Sequence, residues 1–114
     1  MAENEWVREF EGSVIVCDEN GMITEMNDRA AKSYAAEGGR ALIGVNVLRC
    51  HPEPARTKLA GLMAGRTKNV YTIEKAGVKK LIYQSPRMEG GEFRGFVELS
   101  LEIPFDMPHF IRKG

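Results

Sequence analysis

Hydrophobic positions recur at two periods along this chain, and the changes of period divide it into elements. In AENEWVREF, Trp6, Val7 and Phe10 fall at i, i+1 and i+4, the stripe of a short amphipathic helix within residues 1–11. Gly12 ends that pattern. SVIVCD and MITEM, separated by ENG, read as the two strands of a hairpin whose turn uses Asn20 and Gly21. Asn27 is a good N-cap for DRAAKSYAAEGG, a helical stretch stopped by Gly38-Gly39. ALIGVNVLRC is short and interrupted by Gly44, which predicts one or two single turns. PEPARTKLAGLMAG predicts a longer helix: Pro52 suits its first position, Glu53 favours the positive end of the dipole, and Ala55, Leu59, Leu62 and Met63 recur at helical spacing.

The last third has period two. NVYTIEK, VKKLIYQSP and EFRGFVELSLEI are separated by Ala76-Gly77 and Gly90-Gly91, which describes an antiparallel three-stranded meander. Val97, Leu99, Leu101 and Ile103 alternate with Glu98, Ser100 and Glu102, so the first set is expected to face the core and the second the solvent. Phe96 is an aromatic exception on that polar face. Together with the Trp6, Val7 and Phe10 stripe it predicts that the N-terminal helix covers the outer face of the sheet, in its own subunit or in a partner's. Residues 104–114, PFDMPHFIRKG, are broken by proline and read as a tail.

Composition narrows the classes of function. At 114 residues the chain is one domain, and 43% apolar with 28% charged residues is globular rather than disordered. Sixteen Lys and Arg balance sixteen Asp and Glu, so no net field recruits nucleic acid or an anionic membrane. No apolar run approaches the ~18–20 residues of a membrane span, and MAENEWVREFEG lacks a secretory h-region, which together predict a cytoplasmic protein. Cys17 and Cys50 are expected as reduced thiols.

Cys50-His51-Pro52-Glu53 is the one stretch with candidate chemistry. Structural zinc needs about four ligands, and the only Cys and His residues, at 17, 50, 51 and 109, show none of the usual spacings. A nucleophile needs a base within reach and a third group to orient it, whereas chain neighbours such as Cys50 and His51 tend to point apart. No convergent nucleophile, base and oxyanion site is found, so an enzyme is not expected. The stretch also serves as a helix start, with proline fixing the first turn and glutamate complementing the dipole.

The order β-β-α-(short turns)-α-β-β-β, on these residues, resembles a PAS domain over residues 12–103. VIVCDENGMITEMNDRAA is similar to the family's opening signature through Asp18, Gly21, Ile23, Asn27 and Ala30. LIGVNVL resembles its short-helix segment, His51-Pro52-Glu53 the start of its long helix, and Gly95-Phe96-Val97-Glu98 its last strand. The resemblance implies an α+β fold: a five-stranded antiparallel sheet, helices on one face and the N-terminal helix flanking the other. It implies a sensory or protein-interaction module in signal transduction that signals through homodimer or effector contacts. It also implies a small-ligand cavity between long helix and sheet, placed at Met26, Tyr34, Leu59 and Met63 with Tyr71, Tyr83 and Leu99. Period two allows only one of Tyr83 and Gln84 into that cavity. Trp6, Val7, Phe10 and Phe96 are expected at a dimer interface. The flavin-binding members' Asn-Cys-Arg-Phe-Leu-Gln stretch has no counterpart in ALIGVNVLRC, so a flavin adduct is not implied. Some PAS sensors hold haem through a histidine near the long helix, which makes haem on His51, with Cys50 beside it, the alternative to a domain without cofactor. A ligand-free interaction domain is the third reading. No output domain accompanies the PAS-like region, so a partner chain or a longer parent protein is expected to carry the signal.

Overall fold

A computed structural model describes residues 5–114, the side chain of Cys50 excepted. The N-terminal helix α1 spans Glu5–Arg8 within the 1–11 segment read as a short amphipathic helix, and residues 1–4 of that segment lie outside the described residues. Strands β1 (Ser13–Asp18) and β2 (Ile23–Met26) form the hairpin. Its turn is closed by Asp18, whose side chain accepts from the backbone N–H groups of Asn20 and Met22, both at 2.9 Å.

Helix α2 (Asp28–Ser33) begins at Asn27, as its N-cap chemistry predicts, and continues as a 3-10 turn over Ala35–Glu37. Two more 3-10 turns, Gly39–Leu42 and Val47–Cys50, occupy the segment read as short turns. Helix α3 (Ala55–Gly65) starts three residues after Pro52. Glu53 acts as a side-chain cap rather than as a first-turn helical residue: its carboxyl group accepts from the Thr57 N–H at 3.1 Å and from the Thr57 hydroxyl. A carboxylate outside the helix satisfies an orphan N–H and still lies at the positive end of the dipole.

Strands β3 (Asn69–Lys75), β4 (Val78–Glu89) and β5 (Glu92–Ile103) form the meander, with Ala76-Gly77 and Gly90-Gly91 all at positive φ in its two turns. The five strands make one antiparallel sheet in the order β2-β1-β5-β4-β3. β5, last in the chain, pairs with β1, first in the sheet region, so the sheet closes only when both ends of the domain are present.

The register assigns the faces. Met26, Ile15, Glu98, Gln84 and Asn69 lie in one row across all five strands. Ile15, Gln84, Glu98 and Phe96 line the space beneath α3, so this is the helix-covered face. Val14, Leu99, Tyr83 and Val70 form a row on the opposite face. The alternation in β5 is therefore real, but its faces are the reverse of those expected: Glu98 and Phe96 point inward, Leu99 and Leu101 outward. Phe96, 8% exposed, is an inner residue and does not belong to an outer dimer surface.

The N-terminal segment flanks the outer face. Phe10 and Leu101 converge over Gly12, where a Cβ would meet the Leu101 methyl at 2.3 Å and the Phe10 ring at 2.8 Å. On the inner side Ile23, Met26 and Ala30 pack as a buried cluster against Ile15, Tyr34, Leu42 and Val47. That cluster anchors α2; α3 is attached differently, with none of its residues fully buried.

Candidate ligand cavity

Between α3 and the sheet lies a cavity of about 60 Å3. Its wall is apolar where α3 and the 3-10 turns supply it (Leu42, Val47, Leu59, Leu62, Met63) and mixed where the sheet does (Ile15, Phe96, Gln84, Glu98). A second, more open pocket of about 100 Å3 lies between α3 and β3, and His51, Leu59, Leu62 and Gln84 line both. These four side chains form the partition between the inner cavity and its mouth.

Of the seven cavity residues expected from the sequence, Tyr34, Leu59 and Met63 line the inner cavity and Tyr71 lines the mouth. Met26 is placed in the packed cluster under α2. Tyr83 and Leu99 face each other on the outer side of the sheet, so neither reaches the cavity. Gln84 takes the inward place, as period two requires if Tyr83 points out. Glu98 is the part of the polar wall that sequence patterning missed, because it was read as facing solvent, whereas Gln84 was left open as the alternative to Tyr83.

These polar groups are organised. Asn69 Nδ2 donates to Gln84 Oε1 at 3.0 Å, and Gln84 Nε2 donates to Glu98 Oε2 at 2.8 Å. Gln84 is 8% exposed, and its amide is satisfied on both sides, as a buried amide must be. Burial pushes the Tyr71 phenol above its ordinary pKa, and the nearby Glu98 carboxyl adds to the effect.

His51 borders the cavity with a fixed ring. Its Nδ1 lies 3.0 Å from the Val47 carbonyl oxygen. A carbonyl only accepts, so Nδ1 carries a proton, and in the neutral ring Nε2 is the nitrogen with the lone pair. That tautomer suits an axial ligand to haem iron. The space does not suit haem: ligands of porphyrin size need about 300 Å3 or more, and the inner cavity has about 60 Å3. The Cys50 side chain lies outside the described residues, and among those described no cluster of three or more His, Cys, Asp or Glu could hold a metal.

No family model matches the chain, and no curated protein does. Solved structures do. A C-terminal domain from Streptococcus mutans superposes with a TM-score of 0.71 at 16% identity, over 88% of this chain and 81% of that one. The PAS domain of Bordetella pertussis BvgS superposes with a TM-score of 0.68 at 14% identity, over 92% and 86%. This chain has the PAS fold. Another neighbour, the Aer2 receptor from Vibrio cholerae, described as a dual PAS-haem oxygen sensor, gives a TM-score of 0.61 at 14% identity over 82% of this chain and 95% of that one. In PAS terms the cavity lies between the long helix and the sheet, and the outer face carries the N-terminal segment. No helix among the described residues is long and apolar enough to cross a membrane.

Proposed function

We propose that this PAS domain is a sensory module of signal transduction: a small molecule enters between α3 and the sheet and biases contacts made by the outer sheet face. The observation that carries this reading is the cavity itself, apolar on the helix side and polar on the sheet side, with a helix for a wall that is nowhere fully buried. A helix held by partial contacts can occupy two positions at small cost, and a ligand that prefers one of them shifts the population. The strands that line the cavity with Gln84, Phe96 and Glu98 present Tyr83, Leu99 and Leu101 to the outer face, so a shift of the inner row is passed through the same backbone.

Output then runs through a homodimer or an effector chain. Trp6 is 70% exposed and stacks edge to face on Phe10, with ring centroids 6.1 Å apart. Next to Leu99 and Leu101 these rings form an apolar surface of the kind that a second copy covers. Trp6, Val7 and Phe10 remain its proposed contacts, joined by the outer row of the sheet in place of Phe96. No catalytic role is proposed for any residue.

Xenon tests the cavity, because it enters apolar voids of this scale without polar contacts. Under xenon pressure the amide resonances of Ile15, Leu62 and Phe96 are expected to shift while those of Lys75 and Gly77 do not. A spectrum unmoved at the cavity overturns the ligand-binding reading. Light scattering of the wild type and of Trp6→Ala tests the dimer, which is overturned by a monomer of unchanged mass in both.

A further inference from the structure

We propose that the cavity selects a small protonated amine, its ammonium group seated on the Glu98 carboxyl group and its alkyl part among the α3 side chains; this rests on the ligand-binding reading above. The hydrogen bonds of the inner row all run one way. Asn69 donates to Gln84 and Gln84 donates to Glu98, so the row ends on an acceptor. The next positions in that row are Ile15 and Met26, which offer nothing polar.

Glu98 therefore meets the cavity with one oxygen engaged and the other, Oε1, without a hydrogen bond among the described residues. Nor does any of the ion pairs among those residues involve Glu98. Lys58 lines the mouth but not the inner cavity. A half-buried carboxyl group beside Ile15, Leu62 and Phe96, with no ion-pair partner among the described residues, is incompletely compensated on the side that faces the apolar wall. A cation brought by the ligand corrects that, and a charge-assisted hydrogen bond is stronger than a neutral one. An anionic ligand meets the opposite: the wall of the inner cavity carries Glu98 and, among the described residues, no Lys or Arg.

Volume sets the size class. A void of ~150 Å3 holds the six carbons of benzene, so in proportion the inner cavity of about 60 Å3 takes the ammonium nitrogen and roughly one or two carbons of an amine. A longer alkyl chain reaches the mouth across Leu59 and Leu62, which α3 carries and can displace.

The test uses n-propylammonium, with n-propanol and propionate as its neutral and anionic counterparts, titrated into the whole chain and followed by amide chemical shifts. Propylammonium is expected to bind at least about ten-fold more tightly than propanol, with shifts at Gln84, Phe96 and Glu98, and propionate not to bind. In Glu98→Gln, which keeps the side-chain shape, the preference is expected to fall to about two-fold or less. Equal binding of propanol and propylammonium to the wild type overturns the proposal without reference to any variant. So does a preference that survives Glu98→Gln. If xenon shifts the cavity while propylammonium does not, the amine assignment fails alone; if xenon fails as well, both fall with the cavity.

Discussion

The Asn27 side-chain amide donates to the Gly12 carbonyl at 2.8 Å, and with the same nitrogen to Val7 at 3.0 Å. Its oxygen accepts from the N–H groups of Val14 and Ala30, both at 3.0 Å. One side chain thus caps α2, fixes the start of β1 and holds the N-terminal segment in place. Asn27 is 1% exposed, so every one of these groups loses its partner without water to replace it when the amide is removed. Asn27→Ala is expected to cost about 2–4 kcal/mol, a lost cap plus unsatisfied buried groups. Asn27→Asp keeps the cap but turns an oxygen toward the Val7 and Gly12 carbonyls, so exchange of the Val14 amide is expected to stay slow while residues 5–12 become protease-sensitive. Denaturant unfolding and limited proteolysis separate the two variants; equal proteolysis of wild type and Asn27→Asp counts against the anchoring role.

Gly95 makes a close approach of a different kind. Its φ is 137°, and a Cβ there would stand 2.0 Å from the Cys17 carbonyl oxygen and 2.8 Å from the Asp18 carbonyl carbon. Both obstacles are backbone in the neighbouring strand, so neither can rotate away. Gly95→Ala is expected to destabilise the domain by about 3 kcal/mol or more and to lower the thermal midpoint accordingly, with the loss centred on the β1–β5 pairing. A midpoint within experimental error of the wild type would show that β5 can shift past β1.

Period and punctuation made the elements legible from the sequence. Asn27, the glycine turns and the β-branched runs each act locally, and each element that they predict is present. Two things were not local. Alternation in β5 shows that two sets of residues face opposite ways but not which set a helix covers, and polarity pointed to the wrong one. Glu98 and Gln84 face inward because they satisfy each other and Asn69 across three strands, a compensation visible only once the register is known. Tyr83 and Leu99 were misplaced for the same reason, and Phe96 was read as exposed because its neighbours Arg94 and Glu98 are charged. The start of α3 was displaced by Glu53, whose carboxyl acts as a cap from outside the helix. Tyr34, Leu59 and Met63, which the PAS resemblance put beside the cavity, line it because the elements that carry them lie over the inner face of the sheet.

Cys17 is buried on the inner face of β1, opposite Phe96. Burial is the largest influence on its thiol and raises its pKa above the ordinary value of 9.0. A folded-state pKa above the unfolded one contributes stability that is complete below the unfolded value and disappears as pH rises through the folded value. Denaturant midpoints are therefore expected to fall as pH rises through and above the ordinary thiol range, and to fall less in Cys17→Ala. Tyr71, raised in the same direction, leaves a residual slope in that variant. In a Cys50→Ser background, where Cys17 is the sole thiol, alkylation by iodoacetamide at neutral pH is expected only at the rate of opening. A thiol that reacts at the rate of a free peptide, or an alkaline slope indifferent to Cys17→Ala, counts against this account.

His51 and the cavity disagree about haem, and the disagreement can be measured. The proton on Nδ1 is held by the Val47 carbonyl, so Nε2 is free to bind iron without a change of tautomer. The porphyrin itself must then displace α3, because about 60 Å3 lies where several times that volume is needed. Opening that far breaks the contacts that close the partition of His51, Leu59, Leu62 and Gln84. Haemin added at one equivalent is accordingly expected to give the same Soret spectrum with the wild type and with His51→Ala, the signature of surface adsorption. A sharp Soret band at one haem per chain, present in the wild type and absent in His51→Ala, would mean that α3 swings clear of the sheet on binding. The amine reading of the cavity would then give way to a haem-linked one, since iron on His51 and an ammonium on Glu98 would compete for the same space.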